Sequence, residues 1–161
     1  MQILIKFING KIGYCRPVGS MLPGETENTY LTRIGTITIK KCSGLEDWVG
    51  AQIIDFVPDD VIKNADIEFR DGWDWTTPEM KMDYNLPVCR EIQRKKLRAL
   101  REPKLRELDI AYQRADEVGD ITEKQRIAME KQKLRDVTAD PGIDAAQTPE
   151  ELKAVVPDIL K

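Results

Sequence analysis

Trp48, Trp73 and Trp75 stand near Asp71 and Asp74, a grouping of flat aromatic faces and two carboxylates that is the raw material of carbohydrate chemistry. A glycosidase needs its two carboxylates held at a fixed separation across a sugar, and sequence spacing sets no such separation here. Anchoring of a protein partner is the preferred reading, because Trp concentrates binding energy at interfaces. Histidine is absent, which removes the usual general base and the commonest transition-metal ligand. Cys15, Cys42 and Cys89 thus lack an activating imidazole and read as small buried hydrophobes. Odd in number and widely spaced, they suggest neither a disulfide framework nor a zinc site, and cytosolic synthesis fits them best. Asp55, Asp59, Asp60 and Asp66 lack the spacing and the glycine of a calcium loop and read as solvated charge. No catalytic residue, metal site or cofactor is expected.

The remaining chemistry is electrostatic. The 161 residues carry a formal net charge of -3, which gives no global field toward nucleic acid or an anionic membrane surface. Charge is segregated, however, with an acidic stretch from Asp55 to Asp74 and a basic one from Arg90 to Arg106. That basic helix is the one place where phosphates could be gripped. Glu91, Glu102, Glu107 and Asp109 interrupt it, and no base-reading motif accompanies it. A solvated face paired with acidic neighbours is preferred. No run approaches the roughly 20 apolar residues of a membrane span, and the apolar N-terminus lacks the basic flank and length of a signal peptide. A soluble protein follows.

The elements that must carry these groups divide in two. Asn9-Gly10 between apolar runs predicts a two-residue type I′ hairpin, with Phe7 facing Ile12, Ile5 facing Tyr14, and Leu4, Lys6 and Cys15 on a mixed opposite face. Residues 16–28, rich in Pro and Gly, predict a loop that is either a contact arm or a plain connection. Thr36 to Cys42 alternates Ile37 and Ile39 with polar residues and predicts a half-buried strand. Ile53 to Val57 predicts another, ended by Pro58, with Leu45 to Val49 between them as a helical turn or a bulged edge. Ile67 and Phe69, an Asp71-Gly72 turn, then Trp73 and Trp75 predict an edge hairpin with exposed aromatics, closed off by the Thr76-Thr77-Pro78 and Leu86-Pro87 breaks. From about Val88 the pattern becomes helical. Ile92, Leu97 and Leu100 form a loose stripe, Pro103 should kink or restart the helix, and Leu105, Leu108, Ala111, Tyr112 and Ala115 continue at helical spacing. Gly119 suits a left-handed C-cap, Asp120 or Thr122 an N-cap, and Ile127, Leu134 and Val137 line a second helix. Thr148-Pro149-Glu150-Glu151 starts a short terminal helix that runs to about Val155 and is stopped by Pro157.

The fold class predicted is α+β: an N-terminal antiparallel β unit over residues 1–87, then a helical hairpin with a short capping helix over residues 88–161. The hairpin's apolar stripe reads as too narrow and one-sided to be satisfied alone, so it should meet a partner or a second copy.

The order of short motifs from Ile53 onward is similar to that of a family of small tailed-phage and prophage tail proteins, described as tail assembly chaperone-like or tail-fibre-associated. The motifs are Phe69-Arg70-Asp71-Gly72-Trp73, Cys89-Arg90-Glu91-Ile92, Pro103 to Asp109, Gly119-Asp120, Lys131 to Asp136, and Thr148 to Lys153. Gly72, where a small alanine-like residue is usual, and the extra Trp75 depart from the pattern. The resemblance implies a non-enzymatic role in a phage tail: a virion structural component at or near the tail fibre or tail tip, made in the host cytoplasm, with other tail or tail-fibre proteins as partners. An assembly chaperone that leaves before the particle is complete is the alternative. A nucleic-acid-binding protein working through helix 90–106 is the alternative of another class. Phe69, Trp73, Trp75, Leu105, Leu108 and Tyr112 are the predicted partner contacts, with packing inside the chain as the competing reading of the same residues.

Overall fold

The computed structural model describes residues 1–76, 79 and 81–161, so the Thr77-Pro78 part of the predicted break lies outside the described residues. Its architecture is α+β, with an antiparallel three-stranded sheet followed by long helices packed as a hairpin and short C-terminal helices. Residues 1–85 and 86–161 form two compact units.

In the first unit, β1 (Gln2–Lys6), β2 (Ile12–Cys15) and β3 (Gln52–Val57) form a sheet of order β2-β1-β3. The hairpin between β1 and β2 forms, but one residue out of the expected register. Ile3 pairs Cys15, Leu4 pairs Tyr14, Ile5 pairs Gly13 and Lys6 pairs Ile12. The loop has three residues instead of two. Gly10 donates to the Phe7 carbonyl at 2.9 Å, Phe7 donates to the Lys11 carbonyl at 2.9 Å, and Gly10 takes a φ of 81°. This is the tight turn followed by a left-handed residue that three-residue hairpin loops favour. The Asn9 side chain accepts from the Lys11 N–H at 3.1 Å and completes it.

A one-residue shift exchanges faces along a whole strand. Leu4 therefore shares a face with Ile12 and Tyr14, and Cys15 joins Ile3 and Ile5. Neither face is bare. Leu4 is fully buried with Ile12, Val57, Ile62, Trp73 and Met82, while Ile3 and Ile5 pack with Leu31 and, at the margin, Phe7 and Trp48. Each such aliphatic side chain contributes roughly 1.5–3 kcal/mol through its removal from water.

The second cluster has a helical lid where the sequence predicts a strand. Helix α1 spans Glu27–Cys42, so the predicted loop ends two residues early and Thr36 to Cys42 is its C-terminal half. The Thr26 hydroxyl caps it by accepting from the Thr29 N–H, and Lys40 and Lys41 sit in its last turn, where cations complement the helix dipole. The threonines that favour a strand on propensity instead bond their own helix. Thr32, Thr36 and Thr38 each donate to the carbonyl four residues back at 2.8–2.9 Å. The face turned to the sheet carries Leu31 and Gly35, both buried. A Cβ on Gly35 would lie 2.6 Å from Ile53 Cδ1 and 3.2 Å from Ile3 Cγ2, so only glycine lets the helix approach this closely.

Residues 46–48 form a 3-10 turn, settling the alternatives for that stretch in favour of helix. After β3, α2 (Asp59–Asn64) was not anticipated. Ile67–Gly72 is a 3-10 segment, not a strand, with the Asp66 side chain accepting from the Glu68 N–H at its start. Asp71-Gly72 is accordingly not the hairpin turn. The hairpin lies further on, pairing β4 (Trp73–Thr76) with β5 (Lys81–Tyr84) in the register Trp73 with Tyr84 and Trp75 with Met82.

In the second unit, α3 runs unbroken over Leu86–Glu117, passing through Pro103 without the predicted restart. The ring removes one donor, but side chains on both sides of it are tied into the same unit: Arg101 donates to the Leu134 and Arg135 carbonyls and Lys104 to that of Ile159. Tertiary anchoring thus overrides the local penalty of a proline in a helix interior. Gly119, at φ 69°, ends the helix, with Asp120 N–H bonded to the Ala115 carbonyl and Gly119 N–H to that of Asp116. That is the paired bonding of a Schellman motif. Asp120 then caps α4 (Ile121–Asp136) by accepting from the Glu123 N–H at 3.0 Å. Val137 opens a separate 3-10 turn, and α5 (Pro141–Ala145) is an element the sequence reading lacked. The last helix, α6 (Pro149–Ala154), starts as expected, with Thr148 accepting from the Glu151 N–H at 3.1 Å. The Glu151 carboxylate reaches back to the Gln147 N–H at 2.7 Å. This is a capping box displaced by one residue.

Candidate docking surfaces

The predicted contact residues of the first unit are largely interior. Phe69 is fully buried and Trp73 is 3% exposed, which corrects the expectation of exposed aromatics. Trp73 lies in the Leu4 cluster and donates its indole N–H to the Asp66 carbonyl at 3.0 Å; Trp75, half-buried, donates to Asp55 Oδ2 at 2.9 Å. Buried indoles need such acceptors. Asp55 is therefore an acceptor in the fold and not free loop charge. Asp59 bonds the Gln2 amide at 3.1 Å and pairs with the N-terminal ammonium at 3.3 Å, and these contacts hold its carboxyl below the ordinary carboxylate range. The tryptophan and aspartate grouping that suggested sugar chemistry is thus taken apart: Trp73 and Trp75 lie on one side of the sheet, and Trp48 packs on the other, edge-on to Phe7 at 5.1 Å.

In the second unit Leu105, Leu108 and Tyr112 are half-buried. Lys124 and Lys131 of α4 sit 5.4 and 5.3 Å from the Tyr112 ring centroid, and Lys131 also pairs with Asp109 at 2.5 Å. Tyr112 thus serves the α3–α4 seam through cation–π contacts. The stripe is not one-sided. Cys89, Gln93, Leu97 and Ala115 are its buried α3 positions, Leu100 is exposed, and Ile127, Leu134, Val137, Ile143 and Leu152 are buried in the elements that follow.

The basic run of α3 has a structural use. Arg90 donates to the Ala146 carbonyl at 3.0 Å, Arg94 pairs with Asp144 at 2.6 Å, Arg101 donates to the Arg135 carbonyl at 2.7 Å, and Lys104 to the Ile159 carbonyl at 2.7 Å. These residues recur at helical spacing on one face. Between them Gln93, fully buried, donates to the Val155 carbonyl at 2.9 Å. Carbonyls at the ends of α4, α5 and α6 have no partner within their own helices, and α3 supplies the donors. No sequence signal distinguishes such a clasp from a phosphate-binding strip, because both are cations at helical spacing. Among the described residues no group of three or more Cys, Asp and Glu side chains is gathered as a metal site, and no helix is long and apolar enough to cross a membrane.

The loop of residues 16–26 carries three exposed apolar side chains close together in sequence. Val18 is 79% exposed, and Met21 and Leu22 about half. The loop is held in place from beneath. Arg33 of α1 makes a two-pronged pair with Glu25 at 2.7 and 2.8 Å and also donates to the Ser20 carbonyl; the Tyr30 hydroxyl donates to that of Gly19. The Glu25 carboxylate accepts from the Leu22 N–H at 2.8 Å as well. The Arg33 hydrogen bonds and this backbone donor bring its pKa down to about 2. Bidentate geometry of this kind fixes direction as well as distance.

Comparison with protein families, with curated proteins and with solved structures returns no match for this chain.

Proposed function

We propose that this chain is a non-catalytic bacteriophage tail protein that remains in the virion at or near the tail fibre or tail tip, and that the loop of residues 16–26 docks it on a larger tail protein. The observation that carries the docking claim is the pinned loop. An arm ordered by the Glu25–Arg33 pair keeps Val18, Met21 and Leu22 in water, at a cost that burial against a partner would offset. The tail assignment rests on the motif order from Phe69 to Lys153. The nucleic-acid alternative is left with fewer cations on α3, since Arg90, Arg94, Arg101 and Lys104 are engaged within the unit, and it draws on the exposed Lys95 and Arg98. An assembly chaperone draws on Val118, Ile121 and Met129, exposed apolar residues of the helical hairpin open to a transient client.

Mass spectrometry of purified virions tests the assignment. Stoichiometric copies are expected in the particle; absence from particles, with presence in infected cells, overturns retention in favour of the chaperone. Leu22→Asp in the phage genome should leave the protein folded and strip it from particles. Normal incorporation of that variant would remove the loop from the docking claim.

A further inference from the structure

Strand β2 is an edge strand, since the sheet order is β2-β1-β3. The Phe7–Lys11 hydrogen bond sets the alternation along the hairpin, so Gly13 and Cys15 direct their backbone groups to β1 while Ile12 and Tyr14 direct theirs outward. Among the described residues those outward groups meet no hydrogen-bond partner. Natural edges are usually covered, charged or twisted away. This one instead borders a hollow of about 500 Å³, lined by residues 11–14 of the edge itself. Phe7 and Trp48 wall it on the α1 side of the sheet; Tyr14, Arg70 and Asp71 wall it on the other. A strand laid along the edge would send alternate side chains to those two walls. One wall is aromatic. The other is polar with a surplus of positive charge, because Asp71 is already matched by Lys11 at 2.9 Å and Arg70 is exposed beside them. A second hollow of about 250 Å³ continues past Tyr14, with Arg16 and Lys63 in its lining.

We infer that β2 is a strand-addition site for an extended segment of a partner protein, in which apolar residues alternate with acidic ones. The added strand pairs with the N–H and C=O groups of Ile12 and Tyr14, its apolar side chains meet Phe7 and Trp48, and a carboxylate meets Arg70. This is the β-augmentation mode, in which backbone bonds supply affinity and alternate pockets supply selectivity. It rests on the sheet edge alone and stands whether or not the chain is a tail protein.

The test presents a library of random nine-residue peptides to the immobilised full chain. Enriched sequences should alternate apolar and acidic residues. A synthetic peptide from that set should slow hydrogen exchange at the Ile12 and Tyr14 amides by at least tenfold, leaving Gly13 and Cys15 as slow as before. Tyr14→Pro removes an outward donor without touching the β1–β2 ladder and should weaken binding at least tenfold. Arg70→Glu, an exposed change that spares the core, should weaken the acidic peptides at least fivefold. No enrichment over the bare support overturns the inference, as does binding that both variants leave unchanged. Concentration-dependent dimerisation abolished by Tyr14→Pro would assign the edge to a second copy and overturn it in that way.

Discussion

The two units are held by different forces. Residues 1–85 fold around two apolar clusters on opposite faces of one sheet, so their stability is a matter of volume and of pairings between distant parts of the chain. Residues 86–161 bury apolar side chains too, but their short C-terminal elements are tied to α3 by cations reaching backbone carbonyls. A small change of side-chain volume should hurt the first unit most, and the loss of a donor the second. Charged residues are 33% of the chain; in the first unit Glu25 and Arg33 brace a loop, and in the second the cations of α3 hold the elements that follow it.

Leu4→Ala gives the largest break. Leu4 is fully buried at the centre of its cluster, and a large-to-small change there should cost about 2–5 kcal/mol, read as a lower denaturation midpoint. A loss below about 1 kcal/mol would mean that the site collapses to fill the void. Arg101→Ala should follow at about 1.5–3 kcal/mol, the scale of hydrogen bonds made by a charged group. Its effect should persist in high salt, because its partners are carbonyls and not carboxylates. Loss of the effect in salt would place Arg101 among ordinary surface ion pairs. Thr148→Ala should cost about 1 kcal/mol through the missing cap, with Thr148→Ser retaining most of it.

Acid should act locally on the first unit. Glu25 has its folded pKa depressed to about 2 from an ordinary 4.5, so its contribution is complete above about pH 4.5 and is lost as the pH falls toward 2. Limited proteolysis with an acid-active protease should then cut residues 16–26 before any other segment. Glu25→Gln should make the loop cleavable at neutral pH. Smallest of all is Arg126→Ala. Its pairs with Glu123 and Glu130 lie on the α4 surface and should be worth about 0–1 kcal/mol, falling with salt.

The same division governs what the sequence could disclose. Helix ends in the second unit were legible because a cap is a local event: Gly119, Asp120 and Thr148 act on residues within a turn of themselves. The passage through Pro103 was not, since it depends on partners more than thirty residues away. In the first unit the alternation of Ile37 and Ile39 pointed to a strand because the helical face depends on Gly35, a residue without hydropathy whose value is a close approach to Ile53. The hairpin shift came from a single loop residue, which no propensity fixes. Of the six predicted contacts, Phe69 and Trp73 are interior and Tyr112 is engaged by two lysines. The loop was legible from its Pro and Gly content, but the Glu25–Arg33 brace that holds it was not.

The α3 clasp also bears on how the protein is made. During synthesis α3 leaves the ribosome well before the carbonyls of residues 134–159 that its cations will hold. Until then Arg90, Arg94 and Lys104 face solvent on a helix whose partner surface does not yet exist. A nonsense mutation after Asp136 would keep the acceptors of Arg101 but remove those of Arg90 and Lys104 and the Asp144 partner of Arg94. Such a truncated product should be retained by an anionic resin that the complete protein passes through.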